Sequence, residues 1–263
     1  MTNIWIKVFF FSQSVGSYNG DIVSLAKKER LQDLVSCRVI SKDEIQDGCC
    51  VFYTRRPQID RVSHKMHLLD CRISVSHSSL MFGTENDNSI KADLEHGLMK
   101  TVYHWVIFGD SFRNIEGIAT LSGRTKLTAT SASSLTSGTM LYEKVVEAKH
   151  KSQKYKKILN GSYMVLLPHK FSPLLVDLYN EPHYITVRDA LLKDHDISIS
   201  VLKGLEHPVL YEVNPSIMFV PIMSEISFKR FGDMEYEYIQ ASMHTAGVVH
   251  LRPEEVVEIT ITS

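Results

Sequence analysis

Three places in this sequence combine side-chain types and spacing that suggest chemistry. The first is Gly109-Asp110-Ser111, directly after the apolar run Val102–Phe108. A serine at the sharp end of a strand can stand beside backbone N–H donors, ready to attack an ester. Such a nucleophile needs a histidine and a carboxylate, and no Asp-x-x-His follows it. A β-turn built on Gly109 and Asp110 explains the block more economically. The second is His64 and His67 with Asp70, which could suggest a metal site. On one strand, positions three apart point to opposite faces, so the two imidazoles would not converge. The third is a set of lysines, Lys144, Lys149, Lys151, Lys154, Lys156 and Lys157, against only Glu143 and Glu147. Ammonium groups ranged along one helix can neutralise the phosphates of a nucleic-acid backbone without reading bases. They can equally meet anionic lipid headgroups, or form a solvated outer face.

Composition narrows these choices. The chain has 263 residues, 44% hydrophobic and 22% charged, so it can bury a core and is not disordered as a whole. A formal net charge of -1 gives no global pull toward nucleic acid or membrane, so any such affinity is local. Cys37, Cys49, Cys50 and Cys71 have no C-x-x-C spacing and read as free thiols of a reducing compartment. The pattern lacks a P-loop, a dinucleotide glycine motif and zinc-finger spacing, which argues against a metal or nucleotide cofactor. Ile4–Phe11 is too short to span a bilayer, carries Lys7 at its centre and reads as a buried first strand.

The elements that must position these residues read as mostly strands. Over Val62–Val75, Leu69, Cys71, Ile73 and Val75 alternate with Met66, Leu68, Asp70 and Arg72, the period of a half-buried strand. Asp70 and Arg72 share a face there, as an edge ion pair or as part of a contact surface. Val102–Phe108, apolar on both faces, reads as a central strand, and Gly117–Thr130 as another that places Arg124 and Lys126 on its polar side. A helix over Ile22–Val35 is kinked or in two pieces; Ser41-Lys42-Asp43-Glu44 has capping-box spacing; Gly83–Ser89 and Ala132–Gly138 read as loops. Met140–Leu159 is an amphipathic helix, capped by Ser137 or Thr139 and stopped at Asn160-Gly161. A short helix opens at Thr186. Strands then follow over Ile197–Leu202, Val209–Val213, Ile217–Met223, Ile226–Phe228, Tyr236–Ser242, Val248–Leu251 and Val256–Ile261.

Cys50–Thr54, Arg55–His64 and Met66–Ile73 (MHLLDCRI) form a short strand, a polar turn and an aliphatic strand ending in an aspartate–arginine signature. With Leu98–Phe108, Ala119–Ala129 and Ala241–Glu255, this block resembles the core of the 30K superfamily of plant-virus movement proteins. Asp70 matches the signature aspartate and Arg72 the basic residue after it. The resemblance implies a β-sandwich of capsid-like ancestry and sequence-tolerant binding of single-stranded nucleic acid. It also implies association with membranes and localisation to plasmodesmata.

The sequence therefore predicts a mainly β protein, one domain over residues 1–263. It would be a single antiparallel β-sandwich, jelly-roll-like, with peripheral helices: core 49–132, basic helix 139–160 and C-terminal strands 197–263. The expected function is a non-enzymatic movement protein without cofactor or metal. Single-stranded viral nucleic acid would bind through the six lysines with Arg124 and Lys126, while Asp70 and Arg72 hold the fold or a partner surface. Expected partners also include host membrane or plasmodesmal proteins, a viral nucleoprotein and further copies of the chain. The expected location is the host cytoplasm and the plasmodesmal or membrane periphery, without secretion. The second reading is a viral matrix- or capsid-type structural protein that self-assembles on membrane, and the third is a serine hydrolase.

Overall fold

A computed structural model describes residues 31–40, 45–46, 49–53, 61–76, 87–129, 135–154, 161–180, 184–223, 226–232 and 236–261. The expected first strand at Ile4–Phe11, the helix before Leu31, the Ser41–Glu44 turn and Lys156 and Lys157 lie outside the described residues. In chain order the elements are α1 (Leu31–Leu34), β1 (Cys37–Ile40), β2 (Ile45–Gln46), β3 (Cys49–Tyr53), β4 (Arg61–Lys65), β5 (His67–Ser76) and α2 (Asp87–Phe108). Next come β6 (Thr125–Ala129), α3 (Gly138–Gln153), β7 (Tyr163–Pro168), β8 (Leu178–Asn180), β9 (Ile185–Thr186) and α4 (Val187–His195). Strands β10 (Ile197–Leu202), β11 (Val209–Glu212), β12 (Met218–Met223), β13 (Ser227–Gly232), β14 (Tyr236–Thr245), β15 (Val249–His250) and β16 (Val257–Ile261) complete it.

These elements form two compact units where the sequence suggested one domain. The first takes in Cys37–His104 and Val220–Ala246; the second takes in Asp33–Ser36, Trp105–Phe219 and Gly247–Ser263. In the first unit the long strands β5 and β14 pair antiparallel from Tyr236↔Ser76 to Thr245↔His67. The alternation read in the sequence holds within β5, where Leu69 and Val75 are buried and Leu68, Asp70 and Arg72 exposed, but Met66, expected on the open face, is buried in the break between β4 and β5. On the partner strand Ile239, Ala241 and Met243 are buried at every second position. Strand β13 extends the sheet beyond β14, and β1 runs parallel to Val220–Met223.

The run Val102–Phe108 is not a central strand. It is the C-terminal end of α2, whose buried residues Ile90, Leu94, Leu98, Val102 and Val106 recur every fourth position. Only a window of more than two turns shows that period, and seven residues viewed alone look apolar throughout. At Gly97, α2 meets β5: a Cβ there would stand 2.8 Å from the Cys71 Sγ.

The second unit holds a five-stranded sheet in the order β10-β7-β11-β16-β6. It is mixed rather than purely antiparallel, since β10 runs parallel to β7 and β16 parallel to β6. Every residue of β7 and β11 is buried, the mark of central strands covered on both faces. Helices α3 and α4 cover one face. Leu141, Val145 and Ala148 of α3 and Val187, Ala190 and Leu191 of α4 pack with Tyr163, Val165, Leu167, Leu210, Val257 and Ile259. Thus α3 meets the expected helix as far as Gln153, its start capped by Ser137 Oγ accepting from the Met140 N–H at 3.3 Å, while residues 155–160, on which its expected end falls, lie outside the described residues. The predicted strand Gly117–Thr130 shrinks to β6, because residues before Thr125 turn against the end of α2.

That turn gives a first test. Gly109 ends α2 at a φ of 73°, and a Cβ there would run into the Ile115 carbonyl oxygen. Both the left-handed backbone and the backbone clash count against any side chain. Gly109→Ala is expected to lose at least about 2 kcal/mol of stability, read as an earlier midpoint in urea unfolding.

Candidate functional site

The candidate nucleophile sits in a turn that its own aspartate builds. Asp110 Oδ1 accepts from the N–H groups of Phe112 at 3.0 Å and Arg113 at 3.3 Å. Its Oδ2 accepts from the Arg113 guanidinium at 2.7 Å. Burial raises the Asp110 carboxyl, but the Arg113 bonds and charge outweigh it and hold the group below its usual value. The block follows a helix, Ser111 is exposed on the first residue of a 3₁₀ turn, and Asp110 is already engaged in capping that turn. The bonds of Asp110 go to Phe112 and Arg113 and not to a histidine.

His64 lies on β4 and His67 with Asp70 on β5. Burial lowers the pKa of His64. Among the described residues, no three His, Cys, Asp or Glu side chains are grouped to hold a metal ion. Cys37, Cys49 and Cys71 are not in disulfides, and burial pushes the Cys37 thiol up to about 11. Arg72 donates to Gln240 Oε1 at 3.4 Å and stacks 4.8 Å over the Phe231 ring, instead of closing on Asp70.

The lysines of α3 serve different neighbours. Lys144 pairs with Glu147 at 2.7 Å on the outer face. Lys149 donates to the His195 carbonyl at 2.5 Å, with its ammonium 5.0 Å above the Tyr163 ring. Lys151 donates to the Lys126 carbonyl at 3.0 Å. Lys154 and Lys126 are exposed. Binding a phosphate would therefore cost Lys149 and Lys151 contacts that tie α3 to α4 and β6. These side chains lay their stems along the helix and spend their charge on carbonyls of the same unit.

Arg124 is also an interior group. Its guanidinium donates to the Ala119 carbonyl and forms an ion pair with Glu258, the two side chains 16% and 4% exposed. Glu258 also accepts from Thr260 Oγ1 at 3.0 Å. The pair lines a cavity of about 290 Å3 with Phe108, Thr120, Leu205 and His207. Sequence reasoning put Arg124 on the polar side of an expected strand, Gly117–Thr130. Only the register β16–β6, which sets Lys126 opposite Glu258, brings Arg124 and Glu258 together.

Another group escaped the sequence reading. His195 Nε2 and Tyr142 Oη are 2.8 Å apart, and Tyr142 stacks on Tyr179 at 4.1 Å. Burial lowers the His195 pKa and the nearby Lys149 ammonium adds to this, with Asp194 opposing. Burial first, then Tyr179, pushes the Tyr142 hydroxyl up to about 12. The neutral imidazole can accept the Tyr142 O–H, and its protonation removes that acceptor.

No family model matches the sequence, and no curated protein matches it. Solved structures match its fold. The virus-like particle protein of Pyrococcus furiosus is 13% identical with a TM-score of 0.64, over 92% of this chain and 100% of that one. The capsid of Myoviridae phage XM1 is 12% identical with a TM-score of 0.69, over 99% and 97%. The SrpI encapsulin of Synechococcus elongatus is 9% identical with a TM-score of 0.59, over 95% and 94%. The chain has the fold of capsid and encapsulin proteins. This overturns the expected plasmodesmal movement protein and favours the capsid-type alternative. The likeness runs through both units, whereas the sequence resemblance rested on short strings, of which Leu98–Phe108 is helical. Among the described residues no helix is long and apolar enough to cross a membrane.

Two measurements test the site. Arg124→Met leaves a buried carboxylate without its partner and is expected to cost about 3–5 kcal/mol. Adding Glu258→Met should recover most of that loss, so a double-mutant cycle in urea should show strong coupling. For His195, the folded pKa lies below the unfolded value of 6.5, so the unfolded chain binds more protons in that window. Stability should be full above about 6.5 and fall as the pH drops below it. His195→Gln should flatten the plot of melting temperature against pH without abolishing its slope, because His64 shifts in the same direction.

Proposed function

We propose that this chain is the repeating structural subunit of a closed protein shell of the capsid type, acting by self-assembly and not by catalysis. One observation carries the reading: the likeness to capsid and encapsulin proteins takes in nearly the whole of this chain and nearly the whole of theirs. A partial match would leave room for a shared module; an end-to-end one supports a shared architecture and with it a shared use. The lysines of α3 support the reading from the other side, since two of them are bound into the fold. Copies of the chain are the partner in this proposal, and neither a host protein nor a nucleic-acid groove on α3 belongs to it.

The test is direct. The purified protein should elute from a sizing column as a large assembly, and negative-stain electron microscopy should show hollow particles of uniform diameter. A protein that remains a single subunit across the accessible range of concentration and salt overturns the proposal.

A further inference from the structure

We infer that one surface of the second unit, where β8, β9 and the starts of α3 and α4 leave apolar side chains bare, is a seat for a second copy of this chain. Val176 is 72% exposed, Tyr184 81%, Leu192 49%, and Met140, Leu178 and Tyr179 about two-fifths each. They sit on one frame. The Gly138 N–H donates to Asp177 Oδ2 at 2.8 Å, and the Val187 N–H donates to the Asp177 carbonyl at 3.0 Å. Leu178 pairs with Thr186 across the β8–β9 ladder, and Tyr179 stacks on Tyr142. Hydrogen bonds thus hold the backbone at Gly138, Asp177, Leu178 and Val187, and binding need not order it there.

Tyr184 is the most telling member. Its φ is 52°, a left-handed conformation unfavourable for a side chain of this size, and the ring stands in water. Glycine or asparagine would suit that backbone better. Inside a single subunit, then, the tyrosine costs stability and gains no burial. A contact with another molecule supplies what the subunit does not.

The occupant follows from area and charge. Side chains of this size carry about 150–250 Å2 each, so the bare apolar surface is on the order of 500 Å2. That is near the upper limit a lone protein leaves open, and it would form most of the core of a partner face of about 800 Å2. The rim alternates in sign: Arg188, Asp189, Lys193 and Asp194 are all exposed on α4. An anionic membrane favours a basic rim. A balanced rim fits a surface that is itself balanced, as this chain is at a net charge of -1. The choice of a second copy rests on the shell reading above.

The experiment compares the full chain with three kinds of variant by analytical ultracentrifugation, electron microscopy and thermal unfolding. Val176→Asp with Leu192→Asp should keep the fold and remain single subunits where the wild type assembles. Tyr184→Asn should unfold at the wild-type temperature or higher, yet need at least tenfold more protein to assemble. Leu68→Asp and Phe112→Asp, exposed apolar positions outside the patch, should assemble as the wild type does. Normal assembly of the double variant overturns this inference and leaves the shell reading intact. If the double variant loses its fold, Tyr184→Asn decides alone, and assembly at the wild-type concentration overturns the inference. A wild type that stays single at every concentration overturns both.

Discussion

Two-sided burial of β7 and β11 is the constraint on which the second unit depends. Tyr163, Val165 and Leu167 must be covered on one side, and Met164 and Leu166 on the other. Covering the first side requires α3 and α4 to lie on the sheet, which fixes the inward stripe Leu141, Val145, Ala148 and Ser152. Once α3 is clamped, its flanking lysines face helix and strand ends within reach of four methylenes. Lys149 and Lys151 then donate to the carbonyls of His195 and Lys126. In these two lysines, charge that looks in sequence like a grip on a polyanion fastens the covering layer.

The other side of the sheet shows the same constraint acting on charge. Val257 and Ile259 point to the helices, so Glu258 must point away from them. That side is closed too, and Glu258 is only 3% exposed. A carboxylate so placed is tolerable only with a partner, and Arg124 supplies it from the loop before β6. Parallel pairing of β6 with β16 is therefore more than a topological detail, because it sets the loop carrying Arg124 beside the carboxylate. The cost of breaking the pair falls on this sheet edge.

Much of the fold was legible, and the failures have two causes. The alternation of Leu69 to Val75 and of Ile239 to Met243 required only one buried face, and the C-terminal strands stand nearly where expected. The runs Val102–Phe108 and Tyr163–Pro168 are both apolar throughout over six or seven residues, yet one is helix and the other a central strand. A short run buried on all sides carries no period, and only the stripe from Ile90 onward distinguishes the first. Pairing was illegible for a different reason: a sequence shows which residues form a strand, not which strand lies beside it. Hence the parallel pairs, the Arg124–Glu258 contact and the meeting of Tyr142 with His195 had no local signal. The direction of each lysine on α3 could be read from helical geometry, but what stood opposite it could not.

The apolar residues of α4 separate folding from assembly. Val187, Ala190 and Leu191 lie one turn apart or adjacent on the inward face and satisfy the sheet. Leu192, one step further round, adds nothing to that core. Tyr184 and Val176 are likewise outside it, beside the ends of the β8–β9 ladder. A subunit selected only for its own stability would place polar groups at all three positions, since exposed apolar surface adds nothing to folding and invites aggregation. Keeping them, with one tyrosine in a left-handed backbone, is a compromise that makes sense when the relevant folded object is larger than one chain. In such an object the apolar surplus of each subunit becomes the core of its contacts, and the near-neutral charge becomes an advantage, because many like copies can approach without mutual repulsion.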